Sequence, residues 1–372
     1  MSTKSLYALS LDQCIAAILA GGSQRTILFE GHMGTGKSAM HSMLRQQPEL
    51  SGYHFAYFDC TTKDLGDITV PNIKMLDEES GEYVSFATNE EFGVQFNKPI
   101  CLMIDELGKA NPAVKNALLR VMHPEDGVRH IGTTTFHPDS IVFATTNLGV
   151  EGVGDMLLPH QYDRLTIVRT RKPSSDEWIE WGINNGVDHT LLGFVKDNPQ
   201  VMQSFEDVKD PENNLYIFHP QAKRRAFVTP RSLEAASDWM KQRDRFDDQT
   251  LTALLLGTIG EKATNDLMAF VKLADQMPTL QSIKDSPNTA VVPKSAPAIV
   301  MVVYRTLATL DKTWVDAWMD YLVRLDKEAQ GYFVNGVRSA KYDKKKQSVV
   351  MTNKKFTKWA MDNNYMFAAD KK

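Results

Sequence analysis

An apolar segment that ends in a glycine-rich loop constrains this chain more than any other feature. The segment ILFEGHMGTGKSAM (27–40) places two glycines, a lysine and a serine at the spacing G-x-x-x-x-G-K-[ST]. Such a loop follows a strand and opens a helix, and its backbone N–H groups bind polyphosphate. We predict a strand over 26–30, a helix over 38–46 and an ATP site between them. An idle turn that only redirects the chain is the alternative.

Two side chains at the end of the loop define its chemistry. Lys37 would place its ammonium group against the β- and γ-phosphates, and the Ser38 hydroxyl would bind Mg²⁺. ATP and Mg²⁺ are therefore the cofactors that the sequence predicts. The residues predicted to contact the nucleotide in this loop are Gly31, His32, Met33, Gly34, Thr35, Gly36, Lys37, Ser38 and Ala39.

A second apolar strand supplies carboxylates. Residues 99–106, PICLMIDE, form an apolar run that ends in Asp105 and Glu106. A run that is apolar throughout is typical of a parallel sheet covered on both faces, and ligands bind such sheets at the carboxyl ends of the strands. We predict that Asp105 binds the nucleotide-associated Mg²⁺ together with Ser38, and that Glu106 is the general base that activates water. Alternatively, both carboxylates simply end a strand at the solvent surface.

A third apolar strand, SIVFATTN (140–147), also ends in a polar residue. The Asn147 amide can donate and accept hydrogen bonds, so we predict that it orients water against the phosphate. Further along, Arg164 precedes a short apolar stretch, residues 165–168. An arginine there can stabilise the charge of a phosphoryl-transfer transition state, in its own subunit or in a neighbour. A turn role for Asn147 and a surface ion pair for Arg164 are the alternatives.

Composition and charge are those of an ordinary globular protein and exclude several other classes. The chain of 372 residues exceeds the size at which one core keeps growing, so we expect two or three domains. With 42% hydrophobic residues and a net charge of −4, it shows no overall attraction to nucleic acid or anionic membrane. Its 3 cysteines form no C-x-x-C motif, and no apolar run approaches the roughly 20 residues that span a bilayer. We expect a cytoplasmic protein without a membrane partner.

From about residue 11 to residue 256, the order of motifs resembles that of AAA+ ATPases of the MoxR-like branch, which includes magnesium-chelatase and RavA-type motors. The segments that carry the resemblance are GHMGTGKS (31–38), CLMIDE (101–106), LGKANPAVKNALLRVM (107–122), FATTN (143–147), YDRL (162–165) and TPRSL (229–233). The resemblance implies that Arg164 acts catalytically on the ATP of a neighbouring subunit and that Arg231 is the sensor 2 arginine. Arg169 and Arg171 lie close enough in sequence to compete for the role of Arg164.

The predicted fold class is α/β, with an AAA+ P-loop core whose parallel sheet is flanked by helices, followed by an α-helical lid and a C-terminal helical extension. The predicted division is 1–172 for the core, 173–277 for the lid, 278–297 for a proline-rich linker, and 298–372 for the extension with a basic tail. Apolar spacing predicts helices over 176–185 and 251–277, and Pro230 as a helix start predicts a helix over 232–240. In the extension, Trp314, Trp318, Tyr321 and Leu322 recur at helical intervals, which favours a buried packing face over a partner groove.

Two insertions resemble hairpins of the same branch, residues 71–96 with a turn at 80–81, and residues 127–136. In relatives such hairpins often face the ring pore or a partner, and surface decoration is the alternative. We predict a homo-oligomeric ring, a hexamer, that hydrolyses ATP to remodel a protein, and the resemblance implies a von Willebrand factor A domain as partner. A motor acting on DNA is the first alternative, because residues 338–358 combine basic with aromatic side chains. An ATP-stabilised scaffold without enzymatic activity is the second.

Overall fold

The computed structural model describes residues 7–75, 82–148, 157–274 and 277–364. The chain forms two compact units, Met1–Lys172 and Pro173–Lys372. The described elements of the first unit are strands and helices, and those of the second unit are helices. In the part of the chain that the structure describes, no helix is long and apolar enough to cross a bilayer.

A five-stranded parallel sheet organises the first unit. The strands of its described part are β1 (Ile27–Gly31), β2 (His54–Asp59), β3 (Thr69–Met75), β4 (Glu82–Thr88), β5 (Ile100–Asp105), β6 (His130–Ile131), β7 (Thr134–Thr135), β8 (Ile141–Asn147) and β9 (Thr166–Arg169). The parallel sheet has the order β2-β5-β8-β1-β9. The helices of this unit are α1 (Leu11–Gly21), α2 (Ala39–Arg45), α3 (Pro112–Met122) and α4 (Pro159–Tyr162). The predicted α/β fold class is confirmed.

The central strand β5 is buried on both faces of the sheet, which explains why its run is apolar up to Asp105. All six residues of β5 are buried. Alternate side chains point to opposite faces, so Leu102 packs in one core with Leu118 of α3, while Met103 packs in another with Ile18 of α1. Each face of the strand therefore belongs to a different hydrophobic core.

The register brings the carboxyl ends of the central strands to one edge of the sheet. Gly31 of β1 pairs with Asn147 of β8. Asp105 of β5 pairs with Asp59 of β2, and Ile104 pairs with Ala144 of β8. The residues that follow β1 and β5 consequently leave the sheet beside the end of β8.

Two antiparallel hairpins, β3–β4 and β6–β7, add to this unit. The predicted hairpin within 71–96 is confirmed by the pairing of β3 with β4, while its predicted turn at 80–81 lies outside the described residues. The two hairpins contact each other, since the Thr88 hydroxyl donates to Thr134 Oγ1 (2.9 Å) and the Thr133 hydroxyl to the Phe86 carbonyl (3.3 Å). The insertions are thus joined at the surface of the unit.

The second unit packs its helices around one hydrophobic core that contains residues from Trp178 to Trp359. Residues 278–297, predicted as a linker, include a helix whose Ile283 is fully buried in this core. The division of the chain into core, lid, linker and extension stays a prediction. The helices are α5 (Ser175–Asn184), α6 (His189–Asp197), α7 (Pro230–Lys241), α8 (Asp248–Ile259), α9 (Glu261–Ala274), α10 (Leu280–Asp285), α11 (Ala296–Thr309), α12 (Val315–Leu322), α13 (Lys327–Arg338), α14 (Lys344–Met351) and α15 (Lys354–Asp362).

The predicted helical stretch over 251–277 is interrupted at Gly260, between α8 and α9. Gly260 has a φ of +83°, which favours glycine. A Cβ at this position would lie 2.5 Å from the Ala226 carbonyl oxygen. The break therefore reflects both the backbone conformation and the close approach of a distant segment.

Aromatic residues of the C-terminal region are buried. Trp314, Trp318, Tyr321 and Leu322 lie in the core, as the helical spacing predicts. Tyr342 and Phe356, which lie among the basic residues of 338–358, are buried as well. Trp359, which directly follows this stretch, is also buried. Their rings cannot stack on bases, so the aromatic part of the argument for nucleic-acid binding is wrong. The physical reason is that α15 is amphipathic and turns Phe356 and Trp359 toward the core, while Tyr342, just before α14, donates its hydroxyl to the Leu307 carbonyl (2.7 Å).

A buried arginine joins several elements of the first unit. Arg129 is 3% exposed. Its Nη1 donates to Thr26 Oγ1 (2.7 Å) and to the carbonyl oxygens of Val121 (2.8 Å) and Met122 (2.9 Å), and its Nη2 donates to the Gly22 carbonyl (3.0 Å). Burial lowers the pKa of Arg129 to about 10. The guanidinium therefore satisfies carbonyl groups at the ends of α1 and α3 and also binds the Thr26 hydroxyl just before β1.

Replacing Arg129 by methionine should destabilise the first unit strongly. The Arg129→Met variant fills similar volume but removes every hydrogen bond that the buried guanidinium donates, so we expect a loss of about 3 kcal/mol or more in the free energy of unfolding. Denaturant unfolding measures it. The control is Arg120→Met, because Arg120 and Glu125 form an exposed ion pair whose loss should cost about 0.5 kcal/mol or less. Equal effects of the two substitutions would contradict the assignment.

Candidate nucleotide-binding site

The predicted phosphate loop connects β1 to α2. Gly31 is the last residue of β1 and Ala39 is the first residue of α2, so residues 31–39 all lie in this connection. Gly36 has a φ of +92°, and a Cβ there would lie 2.8 Å from Leu11 Cδ1. A side chain at this position would meet backbone strain and a close contact, which explains the glycine.

Lys37 directs its ammonium group back into this loop. Its Nζ donates hydrogen bonds to the carbonyl oxygens of Gly31 (2.7 Å) and His32 (2.9 Å) and to Asn147 Oδ1 (2.8 Å). The residue is 6% exposed. Burying an ammonium group is costly unless it is hydrogen-bonded, so these contacts help to fix its position. The positive charge of Lys37 is thus held beside the end of β8.

The Asp105 carboxylate accepts hydrogen bonds on both oxygens at the end of β5. Its Oδ1 accepts from the Thr145 hydroxyl and from the Glu106 N–H (3.1 Å). Its Oδ2 accepts from the Tyr57 hydroxyl (2.7 Å) and from the Ser38 hydroxyl (3.3 Å). Groups from β2, β8 and the phosphate loop therefore orient this carboxylate together.

Ser38 and Asp105 fit the chemistry of Mg²⁺. Both offer hard oxygen ligands, and their oxygens lie 3.3 Å apart. Among the described residues, no group of three or more His, Cys, Asp or Glu side chains could hold a metal. Mg²⁺ in nucleotide sites is usually bound by one or two protein groups together with phosphates and water, so a pair of ligands is sufficient. Ser38 and Asp105 would hold the ion here.

Glu106 follows β5 in a left-handed backbone conformation, with a φ of +54°. Its carboxylate accepts hydrogen bonds from Asn147 Nδ2 (2.7 and 3.0 Å) and lies 3.1 Å from the Lys109 ammonium group. Positive φ is unfavourable for a non-glycine residue and is found preferentially at functional sites. The structure thus brings Glu106, Asn147 and Lys37 into one hydrogen-bonded series.

Three of the four predicted arginines belong to the first unit. Arg164 is exposed just after α4, and its Nη1 donates to the His160 carbonyl (3.4 Å). Arg169 ends β9 opposite Glu30, and it opposes the rise in the pKa of Glu30 that burial causes. Arg171 donates to the Lys172 carbonyl (3.3 Å). Arg231 is exposed in the first turn of α7, in the second unit.

Three residues that make polar contacts in the site were not predicted from the sequence: Tyr57, Thr145 and Lys109. Tyr57 and Thr145 donate to Asp105, and Lys109 pairs with Glu106. The signal for Thr145 was available, because it lies two residues before Asn147 on a strand beside β5. The sequence contains no comparable signal for Tyr57, because it does not reveal which strand lies next to β2 in the sheet. Predicting its contact requires the pairing of β2 with β5.

Comparison with known families identifies the core of the first unit. The family described as the Sigma-54 interaction domain matches residues 9–168. This range includes four strands of the parallel sheet and most of β9, together with the phosphate loop and both acidic residues that follow the apolar run of β5. The first unit therefore has the fold of an AAA+ nucleotide-binding core. The match names a sigma-54 family rather than the MoxR-like branch that the sequence motifs resemble. A comparison with curated proteins found no match.

Solved structures show weaker likenesses. NtrX from Brucella abortus has a TM-score of 0.36 and 17% identity over 88% of this chain and 62% of that chain. NtrX in complex with ADP has a TM-score of 0.37 and 15% identity over 96% of this chain and 68% of that chain. A closed state of Hsp104 has a TM-score of 0.34 and 18% identity over 48% of this chain and 34% of that chain. The chain thus spans less than two thirds of the first of these proteins.

Replacing Lys37 by alanine should abolish nucleotide binding. The Lys37→Ala variant removes the ammonium group that would pair with the phosphates, and charge-assisted hydrogen bonds of this kind contribute about 3 kcal/mol, or roughly a hundredfold in affinity. Calorimetric titration with ATP measures this. Lys63→Ala is the control, since Lys63 pairs with Glu91 (2.6 Å) and is not among the predicted nucleotide contacts. An ATP affinity within threefold of the unsubstituted protein would contradict the assignment of Lys37.

Proposed function

We propose that this protein is a Mg²⁺-dependent ATPase that assembles as a homo-oligomeric ring, a hexamer, and uses ATP hydrolysis to remodel a protein partner. The position of Glu106 carries the proposal. Its carboxylate lies at the carboxyl edge of the sheet and accepts hydrogen bonds from the Asn147 amide nitrogen. The Asn147 amide oxygen in turn accepts a hydrogen bond from the Lys37 ammonium group. A scaffold that only bound ATP would not need a carboxylate in an unfavourable backbone conformation beside the phosphate-binding lysine.

Each group has a distinct role in the proposed reaction. Bound Mg²⁺ supplies positive charge that neutralises the phosphates. Lys37 binds the β- and γ-phosphates, and Asn147 orients the attacking water. Glu106 accepts a proton from the attacking water. At the same time the water oxygen forms a bond to the γ-phosphorus, and the bond from the γ-phosphorus to the ADP oxygen breaks. Ser38 and Asp105 would hold the Mg²⁺ ion throughout.

Arg164 is the residue on which the ring depends. Its guanidinium is exposed and contacts a carbonyl one turn earlier in its own chain. Arg169, in contrast, lies within the sheet opposite Glu30. An exposed arginine can reach the active site of a neighbouring subunit, so we assign to Arg164 the role of the arginine that acts on the neighbour's ATP, the arginine finger. In the second unit, the proposed role of Arg231 is to sense the γ-phosphate.

The β3–β4 hairpin is the proposed contact for the protein partner. Val84 and Phe86 are 55% and 41% exposed. Pro71, which pairs with Phe86, is exposed too, and residues two apart on a strand share a face. An exposed apolar face on a hairpin is typical of a protein-interaction surface. The DNA alternative loses support because the aromatic residues near the basic C-terminal stretch are buried.

Two partners remain as candidates. The name of the matching family makes sigma-54 one of them, and the resemblance to MoxR-like motors makes a von Willebrand factor A domain the other. A Glu106→Gln variant saturated with ATP can be mixed with each purified candidate and analysed by size-exclusion chromatography. Co-migration with the ring would identify the partner. Absence of both from the ring fraction would contradict both assignments.

The Glu106→Gln substitution should separate nucleotide binding from hydrolysis. It preserves the shape of the side chain but removes the base, so ATP should still bind while turnover falls by about a hundredfold or more. Phosphate release and calorimetry measure the two effects. Glu125→Gln is the matched control, because Glu125 forms an exposed ion pair with Arg120. Turnover within a few-fold of the unsubstituted protein would show that Glu106 is not the base.

The Arg164→Ala substitution should abolish hydrolysis in a way that a second subunit can repair. We expect nearly normal ATP binding and a loss of roughly a thousandfold in turnover, the scale of an arginine finger. Mixing Arg164→Ala with Glu106→Gln subunits creates some interfaces with both groups intact, so activity should partly return. Arg169→Ala and Arg171→Ala serve as controls. No rescue in rings whose mixed composition is verified by native mass spectrometry would contradict action between subunits.

A further inference from the structure

Tyr57 contacts the site, but the reaction proposed above gives it no role. It lies on β2, the strand beside β5, and its hydroxyl donates to Asp105 Oδ2 at 2.7 Å. The residue is 43% exposed. Burial of apolar surface is therefore only part of what the side chain contributes, and the hydrogen bond to the predicted metal ligand is its specific contact.

The two oxygens of Asp105 have different surroundings. Oδ1 accepts from the Thr145 hydroxyl and from a backbone N–H, both fixed by the sheet. Oδ2 accepts from Tyr57 and from Ser38. Ser38 belongs to the phosphate loop and is itself a predicted metal ligand, so its hydroxyl must adjust to an ion. Tyr57 is anchored on β2, and its donor is independent of the loop.

We propose that Tyr57 is a positioning residue of the metal site, whose hydroxyl sets the direction of Asp105 Oδ2 so that this oxygen presents a lone pair to the Mg²⁺ ion shared with Ser38. The inference rests on the nucleotide site proposed above. Hydrogen bonds to ligating carboxylates orient them, and their loss typically weakens metal binding by about 10- to 100-fold.

The surroundings of Tyr57 agree with this role. Burial and the hydrogen bond to Asp105 raise the pKa of Tyr57, so the phenol keeps its proton and stays a donor at neutral pH. The His41 ring lies 5.9 Å from the Tyr57 ring. Burial, aided by Arg45, lowers the pKa of His41 to about 4, so this imidazole adds no positive charge beside the metal site at neutral pH.

The Tyr57→Phe substitution tests the inference, because it removes the hydroxyl and keeps the ring. ATP affinity is measured first in EDTA, and Mg²⁺ is then titrated at a fixed ATP concentration with a fluorescent nucleotide as the readout. We expect unchanged ATP affinity in EDTA and a rise of about tenfold in the Mg²⁺ concentration at half-saturation. Tyr53→Phe is the matched control, since the Tyr53 hydroxyl donates to the Asp139 carbonyl (3.1 Å) outside the site.

The outcomes separate this inference from the proposed function. Superimposable Mg²⁺ titrations of Tyr57→Phe and the unsubstituted protein would overturn it. A weaker ATP affinity of Tyr57→Phe in EDTA would also overturn it, because Tyr57 would then act on the nucleotide or on the fold. If the unsubstituted protein itself bound no ATP, the proposed nucleotide site would fail and this inference with it.

Discussion

The alignment of the carboxyl ends of β1, β5 and β8 is the constraint on which the candidate site depends. It brings the phosphate loop, the two acidic residues after β5's apolar run and Asn147 to one edge of the sheet. The alignment is itself set by packing, since a shift of one residue would move every buried side chain of β5 from one hydrophobic core to the other. Apolar residues away from the site, such as Leu102 and Met103, therefore determine where its polar groups lie.

Much of the α/β core could be predicted because its central strands are buried on both faces. The predicted strands over 26–30, 99–106 and 140–147 correspond to β1, β5 and β8 within a residue or two at each end. The second unit was harder. Helical spacing continues through Gly260, but the chain breaks there against the Ala226 carbonyl, and no periodicity reveals an approach between segments so far apart in sequence.

In the candidate site, too, only residues that the local sequence specifies could be predicted. Residues 31–39, Asp105 and Glu106 could be predicted because a short local spacing or a strand end specifies them. Tyr57 and Lys109 could not, because their roles arise from the order of the strands and from the left-handed turn at Glu106. The aromatic residues beside the C-terminal lysines show the opposite error. Their charged neighbours in the sequence suggested that these rings are exposed, but the packing of the C-terminal helices buries them.

Asn147 occupies a position that few other side chains could fill. Lys37 Nζ is a donor and needs the amide oxygen, while the Glu106 carboxylate is an acceptor and needs the amide nitrogen, so the contacts fix the orientation of the amide. A neutral group between the two charges keeps them from forming a direct ion pair. Aspartate at this position would repel Glu106, and leucine would remove the hydrogen bonds that both charges make to the amide. An amide at the end of β8 is therefore what allows a phosphate-binding cation and a water-activating carboxylate to share one edge of the sheet.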